Sequence, residues 1–272
     1  MRRSAASEAG PKHRLAAATY LDAVQRSSFM LDLVGGGLPL DWAPASLVSD
    51  DPAKVRRNVG PGAMLPQLSR VIGTPAKRVQ LVSAYFVPAA AGTDAFVAMA
   101  RRGVDVSVMT NALETTDVPI VHAGYAKRRK SLLEGGVKLY ELSRHGRPSE
   151  KRGGLSGQVL QSSSSSLHAK TFPVDGSQVF VGSFNFDPRS MHLNTEMGVV
   201  IQSASLARQN QAAFEQATRQ RAYEVRLNGD HELYWLDASG GVPLHYETEP
   251  GTSLWQRLGV RLLSLLPIEW LL

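Results

Sequence analysis

Six polar residues between positions 168 and 196 have the types and spacing of a phosphate-handling site. They are His168, Lys170, Asp175, Ser183, Asn185 and Glu196. A neutral imidazole can attack phosphorus as a nucleophile, and a neighbouring lysine can offset the charge on the phosphoryl oxygens. On a β-strand the side chains of His168 and Lys170, two positions apart, would point to the same face. The pattern predicts cleavage of a phosphodiester through a covalent phosphohistidine.

The other polar residues of this stretch support the same chemistry. Ser183 and Asn185 are also two positions apart, and their hydroxyl and carboxamide groups could donate hydrogen bonds to phosphate oxygens. Glu196 could accept a hydrogen bond from the second nitrogen of His168 and so fix its tautomer. Asp175 begins an Asp-Gly pair between two apolar runs, which is typical of a hairpin turn. Residue types alone therefore favour a structural role for Asp175 over proton donation.

Composition limits the partners of the protein. The 272 residues allow one large domain or two small ones, and a hydrophobic fraction of 43% is sufficient for a sizeable core. The net charge of +6 favours anionic partners, either phospholipid surfaces or nucleic acid. There is no cysteine, which excludes disulfides and thiolate metal sites. We expect no secretory signal and no membrane span, because no apolar run is long enough.

Alternating strand and helix patterns predict the fold. Helices are predicted at 64–72, 93–102, 121–133 and 205–223, and strands at 78–85, 104–110, 137–142, 167–174, 178–182, 196–202, 232–236 and 244–247. Strand–helix–strand order favours parallel strands joined by crossover helices, whereas the Asp-Gly turn favours a hairpin. The predicted fold class is α/β, with a mixed β-sheet flanked by helices. The polar, Gly- and Ser-rich segment 143–166 predicts a mobile loop.

The same patterns divide the chain into three parts. Residues 1–62 contain a predicted helix at 15–34 and a connector rich in Pro and Asp, and residues 63–250 form the catalytic domain. Residues 251–272 form an amphipathic segment. It places Trp255, Leu258, Leu262, Leu265 and Leu266 on one side. This pattern suits a membrane interface, and the alternative is a helix packed against the domain core.

The stretch from Leu167 to Gly198, LHAKTFPVDGSQVFVGSFNFDPRSMHLNTEMG, resembles the HKD motif of the phospholipase D superfamily, in its form HxKx4D followed by GSxN. More narrowly, it is similar to the second HKD motif of bacterial C-type cardiolipin synthases. The similarity continues in LVSAYFVP and LLEGGVKLYE upstream and in the final LPIEWLL. The resemblance implies a phospholipase D-like half-domain. It also implies that His168 is catalytic within a motif that includes Asp175, that Lys170, Ser183 and Asn185 bind phosphate, and that Glu196 supports a histidine.

The resemblance implies phosphatidyl transfer through a phosphohistidine, with cardiolipin made from phospholipids at an anionic membrane surface. The expected location is the bacterial inner membrane, peripheral on its cytoplasmic side, and no metal or cofactor is expected. Family members have two HKD motifs, whereas this sequence contains no second His-x-Lys. We therefore expect the site to be completed by a missing first HKD half or by a second copy in a homodimer. The alternatives are hydrolysis, by a phospholipase D or a phosphodiesterase or nuclease, and an inactive truncated half-domain. Nucleic acid is not an expected partner, since no aromatic stacking platform is evident.

Two further features have open interpretations. His122 follows a strand-end loop, so it could line the substrate cleft, or it could be a helix-start histidine whose hydrogen bonds are satisfied locally. The basic run 127–130 could meet anionic lipid headgroups, or it could be an ordinary solvated helix face.

Overall fold

The computed structural model describes residues 28–37, 41–56, 63–144 and 167–267. The chain divides into two compact units, Met1–Leu40 with Lys151–Gly154, and Asp41–Glu150 with Leu155–Leu272. In the first unit the described element is helix α1 (Ser28–Val34), so most of the helix predicted at 15–34 lies outside the described residues. Most of the loop predicted at 143–166 lies outside them as well.

The larger unit is built on a mixed β-sheet of ten described strands. In chain order they are β1 (Ala45–Ser49), β2 (Arg78–Ser83), β3 (Asp105–Asn111), β4 (Lys138–Leu142), β5 (Lys170–Val174), β6 (Gln178–Gly182), β7 (Met197–Ile201), β8 (Ala222–Leu227), β9 (Leu233–Asp237) and β10 (Leu244–Tyr246). Their order across the sheet is β1-β7-β6-β5-β2-β3-β4-β8-β9-β10. Strands β2, β3 and β4 are parallel, and the other neighbouring pairs are antiparallel. The predicted α/β class and mixed sheet are confirmed.

Helices cover both faces of this sheet. They are α2 (Met64–Ile72), α3 (Ala89–Arg101), α4 (Pro119–Ala126), α5 (Arg129–Glu134), α6 (Pro188–His192), α7 (Ala204–Arg221) and α8 (Leu254–Ser264), with a 3-10 helix at Pro52–Arg56. Leu81 of β2 belongs to the main apolar core, which includes side chains of α2, α3 and α5. Its neighbour Val82 packs with Phe214 of α7 in a second core. Because successive strand residues point to opposite faces, α7 lies on the face opposite α2, α3 and α5.

Part of the predicted connector is folded into the sheet. Residues 45–49, predicted as part of the connector, form edge strand β1 and pair with β7 along its whole length. Strand β8 also lies where the end of a helix was predicted, because the helix ends at Arg221 and the chain continues as a strand beside β4. Both strands are stabilised by pairing with distant strands, which local patterns do not reveal.

Candidate active site

The end of the sheet formed by the carboxyl ends of β2 and β3 holds the predicted polar residues. Because β5 runs antiparallel to β2, it begins where β2 ends, and Lys170 pairs with Ser83. The end of β6 lies beside the start of β7 in the same way, with Gly182 opposite Gly198. The residues before β5 and β7 and after β6 therefore meet at one end of the sheet, which we call the phosphate edge. It carries His168, Lys170, Ser183, Asn185 and Glu196.

His168 lies just before the strand that was predicted to contain it. Strand β5 begins at Lys170, so the same-face argument for His168 does not hold. Instead, buried Asn111 at the end of β3 fixes the adjoining backbone. The Leu167 N–H donates to Asn111 Oδ1 at 2.8 Å, and Asn111 Nδ2 donates to the Leu167 carbonyl at 3.2 Å and to that of Ala84 at 3.0 Å. The His168 side chain is exposed and forms no hydrogen bond with any described residue.

Lys170 is the half-buried cation of the phosphate edge. Its ammonium group donates to the His168 carbonyl at 2.9 Å, which holds the two motif residues together. Burial lowers the pKa of Lys170, and the negative charges of Glu196, Asp187 and Asp117 act in the opposite direction. The electrostatic effect of these carboxylates on Lys170 is thus opposite to that of its burial.

Asn185 is placed as a neutral donor. Its Oδ1 accepts a hydrogen bond from the Tyr85 N–H at 3.3 Å, so the two amide N–H groups of its side chain are left as donors. The Tyr85 hydroxyl donates to Asp117 at 3.0 Å, and burial, followed by Asp117, raises the pKa of Tyr85 to about 12. Sequence reasoning missed Tyr85 and Asp117, which come from the loops after β2 and β3 and have no motif spacing.

Glu196 does not form the hydrogen bond that was predicted for it. It is buried, and its carboxylate accepts a short hydrogen bond from the Ser183 hydroxyl and another from Ser190 Oγ at 2.8 Å. No hydrogen bond joins it to His168 among the described residues. The Ser183 hydroxyl has a single proton, and this proton is used in the hydrogen bond to Glu196. The hydroxyl therefore has no second proton to donate to a phosphate oxygen in this arrangement.

A buried ion pair outside the predicted catalytic domain holds the Glu196 loop. Lys54 Nζ lies 2.6 Å from Asp50 Oδ2 and donates to the Ser190 carbonyl at 2.7 Å. The same Asp50 oxygen accepts from the Glu196 N–H at 2.9 Å. The helix cap within this loop is visible in the sequence as Asp187 followed by proline, and Asp187 accepts from the Ser190 N–H at 2.7 Å. The contact to Asp50, 146 residues from Glu196, has no local signal.

Asp175, for which residue type favoured a structural role and the motif implied a catalytic one, lies in a turn and binds backbone N–H groups. It begins the turn between β5 and β6 with φ of 51°. Its carboxylate accepts from the N–H groups of Ala76, Lys77 and Arg78 at 2.8 to 2.9 Å. Burial would raise the pKa of Asp175, but these three donors outweigh it and lower the pKa. The length of β5 puts Asp175 roughly 16 Å from Lys170, too far to touch the same phosphate.

His122, which was predicted to line the substrate cleft, has its side chain in the interior of the domain. His122 is 3% exposed and belongs to what we call the buried network, which consists of His122, Arg129, Glu141 and Glu249. His122 Nε2 lies 3.2 Å from Glu249 Oε1, and Arg129 forms a short ion pair with Glu249 and a 3.3 Å ion pair with Glu141. Burial would raise the pKa of Glu249, but Arg129 and His122 lower it to about 2. His122 Nε2 also lies 3.3 Å from Arg129 Nη2, so its partners are one residue nearby in sequence and one distant residue.

Arg129 also separates the basic run into two parts. Its guanidinium is buried and lies 5.2 Å from the ring centre of Tyr125 and 5.4 Å from that of Trp235. Lys127 and Lys130 remain exposed. In the run 127–130, Arg129 therefore belongs to the core, and Lys127 and Lys130 belong to the surface.

Residues 68–218 match the model of a family described as "Cardiolipin synthase, PLD-like domain". Cardiolipin synthase C of Escherichia coli (strain K12) is 45% identical over 256 residues, which cover 93% of this chain and 53% of that protein. A cardiolipin synthase 2 of Staphylococcus epidermidis is 30% identical over 145 residues, 53% of this chain and 25% of that one. The chain thus spans about half the length of the cardiolipin synthase C relative.

Two solved structures resemble this chain. Nuc of Salmonella typhimurium, a phospholipase D family member, aligns with a TM-score of 0.48 and 21% identity over 67% of this chain and 99% of Nuc. The phosphatidylserine synthase of Haemophilus influenzae Rd KW20 aligns with a TM-score of 0.48 and 16% identity over 72% of this chain and 45% of that chain.

Proposed function

Because the chain belongs to the phospholipase D-like cardiolipin synthase family, we propose that it supplies one half of a phosphatidyltransferase active site. The observation that carries this proposal is the exposed imidazole of His168, which has no hydrogen-bond partner among the described residues. It lies beside Lys170, at the edge where Asn185 offers amide donors. An imidazole without a hydrogen-bond partner is free to reach a phosphorus atom. The phospholipid substrate, the transfer reaction and the membrane location are parts of this proposal.

In the proposed reaction, a ring nitrogen of His168 attacks the phosphorus of a phospholipid. The bond to the headgroup oxygen breaks, and that oxygen leaves with a proton taken from an acid on the complementary half. The hydroxyl of an acceptor, such as the headgroup of a second phospholipid, then gives a proton to the same group. Its oxygen attacks the phosphatidyl-histidine and releases His168. Lys170 and Asn185 stabilise the charge that develops on the phosphoryl oxygens.

The charge around Lys170 supports a requirement for a second half. Asp117, Asp187 and Glu196 are all close enough to act on the Lys170 ammonium. These carboxylates partly offset the charge of Lys170, so a second lysine would strengthen the binding of a phosphodiester anion. A second HKD-bearing domain would bring a further lysine and the missing acid. It could be a first-motif half or, through a two-fold axis, a second copy of this chain.

An uncovered apolar patch on the sheet lies close to the phosphate edge. Leu47 pairs with Val199, and Val199 pairs with Val181, so their side chains form one row on the α7 face. Helix α7 packs against side chains of β2, β3 and β4 on this face, whereas Leu47, Val181 and Met197 remain exposed. Met197 is hydrogen-bonded through its N–H to Ser183, which places the patch beside the site. We assign this patch to contact with the second HKD-bearing domain.

The nucleophile can be tested without the missing acid. A phosphodiester with a p-nitrophenolate leaving group does not need a proton to break its bond, so His168 alone should produce one equivalent of nitrophenolate in a burst and an acid-labile adduct. The His168→Ala variant should give neither, whereas His231→Ala, which removes an exposed histidine after β8 at the opposite end of the sheet, should behave as the wild type. A burst in His168→Ala would contradict the proposal, and no burst in the wild type would favour an inactive half-domain.

The transfer step needs a separate experiment. The chain is mixed with labelled phosphatidylglycerol in micelles, with and without added alcohol, and the lipid products are separated. Transfer to the alcohol is expected once a second HKD-bearing domain is present, and phosphatidic acid alone would indicate hydrolysis instead. Whether a second copy of this chain is that domain is tested by light scattering, which measures the oligomeric state of the wild type and of Leu47→Asp/Val181→Asp. The control is Val242→Asp/Leu244→Asp, which changes exposed apolar residues elsewhere.

A further inference from the structure

Helix α8 has one face fixed to the domain. Val260 is 5% exposed and packs with Leu113 and Ala123, and Leu263 and Ala126 complete this small cluster. The contact joins α8 to α4. Helix α8 is therefore a fixed part of the domain surface.

The opposite side of α8 is apolar and open to solvent. Trp255 is 77% exposed, Leu258 43% and Leu262 58%, and Leu254, Leu265 and Leu266 are exposed as well. At about 100° per residue, these six side chains fall within an arc of about 120°. We call them the apolar stripe. A contiguous exposed stripe of this kind marks an interaction surface.

The residues around the stripe are basic. Arg257 and Arg261 lie along one border of the stripe on the helix surface. Lys127 directly follows Ala126, the α4 residue that packs against α8, and is exposed. There is no acidic residue from Gly251 to Pro267. This charge distribution is complementary to anionic headgroups.

The base of α8 is held in one orientation. Ser253 and Gln256 form a reciprocal hydrogen-bonded cap at the start of the helix. Arg257 Nη1 donates to the Thr252 carbonyl at 2.9 Å, and Thr252 Oγ1 donates to the Glu249 carbonyl at 2.6 Å. The Glu249 carboxylate is tied to the buried network through Arg129. Turning the stripe inward would break these contacts and unpack Val260.

We propose that the apolar stripe inserts into the interface of an anionic lipid bilayer, with Arg257 and Arg261 contacting lipid phosphates. None of the described helices is long and apolar enough to cross a bilayer. Helix α8 packs against α4, and α4 begins two residues after Asp117, which is hydrogen-bonded to Tyr85 at the phosphate edge. The start of α4 therefore lies at the same end of the sheet as the phosphate edge. A second copy of this chain is a poorer partner for the apolar stripe. Pairing two α8 helices symmetrically would bring together Arg257 and Arg261 of both copies, with no carboxylate on either helix.

The test measures binding of the full chain to vesicles by sedimentation. Vesicles of phosphatidylglycerol with phosphatidylcholine are compared with vesicles of phosphatidylcholine alone. Leu258→Gln/Leu262→Gln should weaken binding by at least about tenfold, because apolar area inserted in the interface sets the affinity. Arg257→Gln/Arg261→Gln should lose about fivefold per arginine on the anionic vesicles and little on the neutral ones. The control Val242→Gln/Leu244→Gln, exposed apolar residues near the β9–β10 connection, should bind as the wild type.

Unchanged binding of Leu258→Gln/Leu262→Gln would overturn the proposal. If that variant loses self-association, as measured by light scattering without lipid, and its vesicle binding is unchanged, the proposal is overturned. The stripe would then bind a second copy of this chain. If the double variant does not fold, Trp255→Gln gives the same test, because this side chain is largely outside the fold. Vesicle binding requires no turnover, so the result is independent of the role of His168.

Discussion

The phosphate edge and the buried network contain the same kinds of side chain. Each has one histidine, one cationic side chain and carboxylates. These include His168, Lys170 and Glu196 at the phosphate edge and His122, Arg129 and Glu249 in the buried network. In the buried network, histidine, base and carboxylates contact one another directly. At the phosphate edge the histidine is exposed and without a partner, and Lys170 forms no ion pair with any described residue.

This difference follows from the cost of burying charge. A buried charge must be paired, since leaving it alone in a low-dielectric interior is strongly unfavourable. At the phosphate edge His168 is exposed, so water can solvate its imidazole until a ligand replaces that water. The buried network therefore stabilises the fold, whereas the phosphate edge is available for chemistry. The residue types of the two clusters alone would not distinguish these roles.

The two histidines give the largest expected contrast. His168→Asn should slow formation of the covalent adduct by at least about a thousandfold, with the free energy of unfolding unchanged, because its exposed side chain forms no hydrogen bond or ion pair with any described residue. His122→Asn should keep the covalent step but lose about 1–3 kcal/mol of stability, because Glu249 loses a buried partner. Single-turnover kinetics and urea unfolding of both variants measure this contrast. Loss of the covalent step in His122→Asn would end the distinction between the clusters.

Arg129 tests the buried network directly. Arg129→Met should cost about 3–5 kcal/mol, because it leaves the carboxylates of Glu141 and Glu249 buried without their cation. Lys130→Met, one residue further along at an exposed position, should change stability by less than about 0.5 kcal/mol. Urea unfolding at neutral pH compares the two. Equal effects would mean that the network is not the stabilising element.

The pH dependence of stability reveals the contribution of Glu249. Its folded-state pKa of about 2 lies below the ordinary value of 4.5, so its contribution is complete above pH 4.5 and is lost as the pH falls towards 2. That contribution is about 3 kcal/mol. Glu249→Gln should therefore be less stable than the wild type at pH 7, and the difference should shrink between pH 4.5 and pH 2. A difference that stays constant over this range would contradict the ion pair.

The smallest expected effect concerns the support of the phosphate edge. Asn111→Ala removes the side chain that holds the Leu167 backbone, and the covalent step at His168 should slow by about tenfold. Thr115→Ala removes a different buried hydrogen bond, the 2.9 Å bond to the Leu142 carbonyl, and serves as a control. Both variants should lose about 1–3 kcal/mol of stability. Equal rates in the two variants would assign Asn111 to stability alone.

Local patterns predicted much of the fold. The predicted bounds of the helix at 64–72 and the strand at 178–182 agree with the structure, and the hairpin turn at Asp175 is confirmed. Strands β1 and β8 were missed, because pairing with β7 and β4 stabilises them and neither strand has a long alternating pattern of its own. The predicted site residues divide in the same way. Lys170 and Asn185 lie on the phosphate edge, whereas Asp175 lies at the far end of β5 and the His122 side chain is buried in a separate ion-pair network.

The sequence by itself determined the motif, its family and the amphipathic pattern of the last helix, because these depend on residue types at short spacing. Only the tertiary structure decided which histidine is exposed, that Glu196 is bonded to serines, and that the stripe on α8 faces outward. Asp50 reaches Glu196 across 146 residues, and Glu249 reaches His122 across 127. Such contacts are made by the packing of distant segments, so burial and pairing, which decide the chemistry of each group, cannot be read from its neighbours along the chain.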